Sequence, residues 1–95
     1  YAPPEMVLGR RYVPQMCDVW SCGVILFVMV CGFLPFEDSN TLALYKKIVA
    51  AKYKAASFIT VSVKELIAGL LTVDPAARFT IAKVRAHAWY RQIPE

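Results

Sequence analysis

Asp18-Val-Trp20-Ser-Cys-Gly23-Val-Ile-Leu-Phe-Val-Met-Val-Cys-Gly32-Phe-Leu-Pro35-Phe36 is the stretch that decides the fold of this chain. Apart from Ser21, nothing between Val19 and Phe36 is strongly polar, and a carboxylate stands at the head. A helix that is apolar on every side belongs either in a bilayer or in the centre of a larger protein. The residues around it separate these two readings.

The chain has 95 residues, a formal charge of +4 and a hydrophobic share of 58%. Soluble domains usually carry about 45–50%. A domain this small buries only about two-thirds of its unfolded surface, so the excess points to faces meant for absent partners. The chain opens at Tyr1, with no basic start followed by an apolar targeting segment. It is read as a piece of something larger.

Cys17, Cys22 and Cys31 make no Cys-x-x-Cys spacing and cannot all pair. Reduced thiols, and so a cytoplasmic or nuclear setting, are expected. His87, the one imidazole, has no cysteine or carboxylate close by in sequence, and no metal site is expected. The basic residues are spread as Arg10-Arg11, Lys46-Lys47, Lys52, Lys54, Arg85 and Arg91, without a block of five. That pattern suits solvated helix faces, not a nucleic-acid surface.

The periodicity is helical almost throughout, and no segment alternates as a strand does. Pro3-Pro4 suits a loop entering a short helix, and Gly9 to Gln15 reads as a loop. Asp18 is expected to cap the apolar helix, which runs to about Cys31, with Gly32 closing it in the left-handed region. Asp38-Ser39-Asn40 offers caps for a helix placing Leu42, Tyr45, Ile48 and Val49 on one face. Lys54 to Thr60 looks irregular. Ser62 and Glu65 fit a capping box, ahead of a stripe of Val63, Leu66, Ile67, Leu70 and Leu71 that Asp74-Pro75 ends. Thr80 caps a last short helix reaching about His87. The expected fold is all-α, with about five helices around one buried apolar helix.

Three separated motifs then line up. Tyr1-Ala-Pro-Pro4-Glu5 resembles the Ala-Pro-Glu signature that closes a protein kinase activation segment. Asp18-Val-Trp20-Ser-Cys-Gly23 resembles the start of the large buried helix of the kinase C-terminal lobe. Asp74-Pro-Ala-Ala-Arg78-Phe-Thr80, followed by His87-Ala-Trp89-Tyr90, resembles the last motif of that lobe. The resemblance covers essentially all of residues 1–95, which it makes one partial kinase domain. Trp20 to Leu26 and Cys31 to Phe36 are similar to serine/threonine kinases of the calmodulin-dependent and AMP-activated group.

The resemblance implies particular roles. Glu5 and Arg78 match a buried ion pair that ties the end of the activation segment to the loop before the last helix. Asp18 matches a residue that also holds the catalytic loop. Ile25 and Met29 match the base of a stacked hydrophobic column, and Trp20 and Gly23 belong to the same helix. Ala2, with Tyr1 beside it, matches the pocket for the substrate residue after the phosphorylated one. Val28 stands where some basophilic kinases carry a glutamate, and cannot attract a substrate arginine.

The family's glycine-rich loop, strand lysine, His-Arg-Asp loop and Asp-Phe-Gly motif are absent from the sequence. ATP and magnesium are therefore expected in the parent kinase and not on these residues, which carry no catalytic group. Expected partners are a protein substrate, the rest of the kinase domain and regulatory subunits. A pseudokinase scaffold is the alternative that keeps the fold. The membrane alternative needs a span from Val19 to Phe36, reaching about 18 residues only by including Gly32 and Pro35. It leaves the other two motifs unexplained, so neither membrane nor nucleic acid is an expected partner.

Overall fold

A computed structural model describes residues 2–87 of the chain, which form five helices. These are α1 (Pro4–Val7), α2 (Pro14–Cys31), α3 (Thr41–Val49), α4 (Val61–Leu70) and α5 (Ile81–Ala86), with no strand among the described residues. The expected all-α architecture is the one observed.

The apolar helix begins five residues earlier than its sequence suggests. Val13 is the N-cap and Pro14 the first helical residue, where a fixed φ and a missing N–H cost nothing. Asp18 therefore lies inside the helix and is not its cap. It is exposed, and its side chain makes no hydrogen bond or ion pair among the described residues. At the other end Gly32, at φ 84°, closes α2 and donates its N–H to the Val28 carbonyl, as expected.

Only one side of α2 is buried. Val19, Trp20, Gly23, Val24, Phe27 and Cys31 face protein, whereas Asp18, Cys22, Ile25 and Met29 face outward. At about 100° per residue these two sets lie on opposite sides of the helix. The body measures 40 × 29 × 17 Å, and its thin direction is under two helix diameters of about 10–12 Å. There is no room for a second cover. Among the described residues, then, α2 is covered on one side only.

α4 crosses the buried side. The crossing is close because Gly23 has no side chain: a Cβ there would stand 2.8 Å from Leu70 Cβ and 3.0 Å from Leu71 Cδ2. The whole expected α4 stripe is buried, Val63, Leu66, Ile67, Leu70 and Leu71 alike. Its cap differs. Thr60, not Ser62, accepts from the Val63 amide, and α4 ends at Leu70, four residues short of Asp74. Ser62 sits within the first turn, its hydroxyl without a partner among the described residues.

α3 packs on α1 and is capped by Asn40, whose side chain accepts from the Ala43 amide. Of its expected face only Ile48 is buried; Leu42 and Tyr45 are 71% and 42% exposed. Phe36, Ile48 and Tyr53 close the core over Trp20 and Phe27. Phe36 stacks on Trp20 at 5.7 Å and Tyr53 meets Phe27 edge-on at 5.6 Å. Thr80 caps α5 through the Lys83 amide, as expected.

Candidate functional site

Two proline-rich turns bring distant charges together. Pro3-Pro4 starts α1 and places Glu5 in its first turn, facing inward. At the other end of the sequence, the Asp74 side chain accepts from the Ala76 amide, and its carbonyl accepts from Ala77 and Arg78. That turn aims Arg78 back at Glu5. Nη1 donates to Oε2 and Nη2 to Oε1, both at 2.8 Å, with the Arg78 side chain fully buried.

The remaining guanidinium donors are also used. Nη1 donates to the Met16 carbonyl at 2.8 Å, Nε to Thr72 at 2.9 Å and Nη2 to Val73 at 3.2 Å. All five N–H groups of the fork are satisfied, and its carbon lies 5.1 Å from the centre of the Trp20 ring. One side chain thus joins the start of α1, the first turn of α2 and the loop after α4. Lysine, with three donors and no planar fork, could not replace it.

Burial works against the Glu5 charge, but the hydrogen bonds from Arg78 and its own amide, with the Arg78 charge, hold its carboxyl below the ordinary value. Cys17 shows the converse. Burial, then the Glu5 charge, pushes its thiol up, and its Sγ lies 4.0 Å from Glu5 Oε2. Cys17 is therefore a poor nucleophile. The Glu5–Arg78 pairing lay in the sequence motifs; the three carbonyls, and Cys17 beside them, did not. The Asp74-Pro75 turn was the available signal, since it had to deliver the next basic residue somewhere.

The positions expected to support a catalytic loop and a hydrophobic column are on the surface of this body. Ile25 and Met29 are 53% and 77% exposed, so they are not core among residues 2–87. With Asp18 and Cys22 they form a single outward stripe, a carboxylate at one end and apolar side chains along the rest. Trp20 and Gly23 are in the interior, on the other side of the helix.

Ala2 is half-buried and lines a cavity of about 420 Å³, together with Trp20, Val24, Pro35, Phe36 and Tyr45. Tyr1, expected beside it, lies outside the described residues. Val28 is half-buried on α2. Glu37 and Asp38 stand on the same cavity, with Asp38 held by Lys47 at 3.2 Å. His87 meets Glu65 at 3.9 Å. No group of three metal-ligating side chains occurs among the described residues, and the left-handed glycines, Gly9 and Gly32, are isolated.

Geometry and comparison agree on the class. Residues 1–90 match the protein kinase domain. A rice (Oryza sativa subsp. japonica) CBL-interacting protein kinase 28 is 42% identical over 97% of this chain and 21% of its own length. An Arabidopsis thaliana CBL-interacting serine/threonine-protein kinase 26 is 45% identical over 97% of this chain and 21% of its own. A carbon catabolite-derepressing protein kinase of rye (Secale cereale) is 43% identical over 96% and 18%. The chain belongs to the protein kinase family, in the serine/threonine group of calmodulin-dependent and AMP-activated kinases. It spans about a fifth of the length of these relatives. α2 is long and apolar enough to cross a membrane, but family membership accounts for it as a lobe helix.

Proposed function

We propose that the chain is the helical scaffold of a serine/threonine kinase C-terminal lobe, residues 1–95 forming one part of the kinase domain. The parent transfers the γ-phosphoryl of ATP to a protein hydroxyl, in the cytoplasm or nucleus. The nucleotide and magnesium groups come from other parts of that protein. Regulatory subunits bind the parent, a role that the names of the CBL-interacting relatives support.

The outward stripe of α2 carries this reading. A helix does not keep Cys22, Ile25 and Met29 in water beside an unpaired carboxylate unless something covers them. Asp18 accepts backbone N–H groups from the covering segment and fixes its position, while Ile25 and Met29 supply the apolar seat. On the opposite side, the Glu5–Arg78 node holds the end of the activation segment, so that Ala2 lies against the cavity that receives the substrate side chain. The contribution is geometric: positioning groups for phosphoryl transfer, a reaction dominated by placement and charge.

The test is Asp18→Asn in the full-length protein, assayed for phosphate transfer to a peptide. Replacing the charge and one acceptor oxygen with an amide donor misplaces the covering loop, so the rate falls by about 100-fold. Substrate affinity stays near its original value. Undiminished activity in this variant would overturn the anchoring role. A full-length wild-type protein that transfers no phosphate at all would instead make the parent a scaffold.

A further inference from the structure

A second uncovered surface lies away from the α2 stripe. Leu44 and Ile48 seat α3 over the buried, Trp20–Val24 side of α2, which is opposite the stripe. Leu42, Tyr45 and Val49 are turned about a fifth to two-fifths of the way round α3 from that seat. With Val7 and Leu8 of the α1 end they line a groove of about 400 Å³.

The walls are apolar and open. Leu42 is 71% exposed, Leu8 44% and Tyr45 42%. Leu8 also borders a neighbouring hollow lined by Arg10 and Arg11, so the two depressions adjoin at that residue. Lys46 stands on the apolar groove itself. Neither arginine nor Lys46 has an ion-pair partner among the described residues. Of the acids lining the hollow, Glu5 is paired with Arg78 while the exposed Asp74 accepts only from the Ala76 amide, so two arginines stand there against one open carboxylate.

The geometry points to a docking site for an acidic amphipathic segment of a partner protein. The concave apolar part takes two or three large side chains spaced along one face of a helix. Lys46, Arg10 and Arg11 flank it and select glutamate or aspartate on the partner. A second copy of this chain is disfavoured, because the rim would meet its own positive charge. The site is independent of the catalytic-loop anchoring proposed above, since it uses the other side of the lobe.

The experiment uses the full-length protein and a fluorescein-labelled peptide of about 14 residues, with leucines at i, i+4 and i+7 and glutamates beside them. Anisotropy rises and saturates. Affinity falls at least about tenfold in Leu42→Asp, which exchanges a buried contact for a charge, and also in Arg10→Glu/Arg11→Glu. It weakens several-fold between about 50 and 300 mM salt. The arginine variant alters side chains alone, leaving the Arg10 amide that closes α1 on the Glu5 carbonyl. Absence of saturable binding, or equal binding of the peptide with lysines for glutamates, overturns the proposal. So does a Leu42→Asp-sensitive dimer in sedimentation, or Leu42→Asp-sensitive binding to phosphatidylserine vesicles without peptide binding.

Discussion

Arg78 and Glu5, 73 residues apart in sequence, meet through two 2.8 Å hydrogen bonds in a site closed to solvent. A buried pair with every donor satisfied contributes little over an apolar substitute, but breaking it leaves a lone charge inside. Arg78→Ala or Glu5→Ala in the full-length protein should lower stability by about 3–5 kcal/mol. Arg78→Lys should recover less than half of that loss, since three backbone carbonyls still need a planar fork. Urea unfolding measures both; a loss below about 1 kcal/mol for Arg78→Ala would mean that the node is not holding the fold.

The same pair sets an acid limit. Glu5 titrates below its ordinary value of 4.5 in the folded state, so the unfolded chain takes up the proton first as pH falls. Stability from this group is complete above that value and is lost as pH drops through the folded pKa. Melting temperature followed from pH 7 to about pH 3 should fall more steeply in the wild type than in Glu5→Gln, which has no proton to gain. Parallel curves would remove Glu5 from the acid response.

Gly23→Ala tests the α2–α4 crossing. The new methyl group would sit 2.8 Å from Leu70 Cβ, which a side-chain rotation cannot relieve. Separation of the helices should cost about 1–3 kcal/mol, outweighing the helix propensity of alanine, about 1 kcal/mol better than glycine. A stabilised variant in thermal melts would show that the helices are further apart than described.

Ala51 offers a change in the other direction. It closes α3 at φ 49°, with its own amide on the Ile48 carbonyl and the Lys52 amide on Lys47. This is the closing position glycine usually takes, as Gly9 does after α1. Ala51→Gly should stabilise by roughly 0.5–1 kcal/mol, because left-handed angles cost an alanine about 1–2 kcal/mol. Denaturant midpoints would report it, and a decrease would rule out backbone strain as the governing term.

Thiol labelling separates the surfaces of α2. Cys31 is buried and Cys17 has its thiol pushed up, whereas Cys22 lies exposed on the outward stripe. In the isolated chain Cys22 should react with maleimide first. In the full-length protein it should be slowed by at least about tenfold, by burial under the covering segment. Equal rates in the two forms would leave the stripe in solvent.

Features set by neighbours in the chain were legible in the sequence. The α4 stripe follows from a 3.6-residue period, Gly32 from its tolerance of positive φ, and the Thr80 cap from a hydroxyl three residues ahead of a free amide. Ranked local signals were harder to separate. Thr60 and Ser62 both carry hydroxyls near the start of α4, and Asp18 is a better capping residue than Val13. What decided each was where the chain entered its helix, and Pro14 permits entry with no side-chain cap at all.

By itself, then, the sequence determined the all-α class, the apolar axis from Val19 to Phe36 and the kinase motifs at Glu5, Asp18 and Arg78. The tertiary structure alone decided which side of that axis is covered. Residues spaced along α2 are almost uniformly apolar, so composition cannot tell Trp20 and Phe27, in the core, from Ile25 and Met29, on the outside. That choice comes from where α4 crosses at Gly23 and from a body 17 Å thick. Likewise, a motif could pair Glu5 with Arg78, but only the packed loops bring the Met16, Thr72 and Val73 carbonyls to the same guanidinium. Carbonyls carry no side-chain signature, and their convergence exists only once the chain has folded.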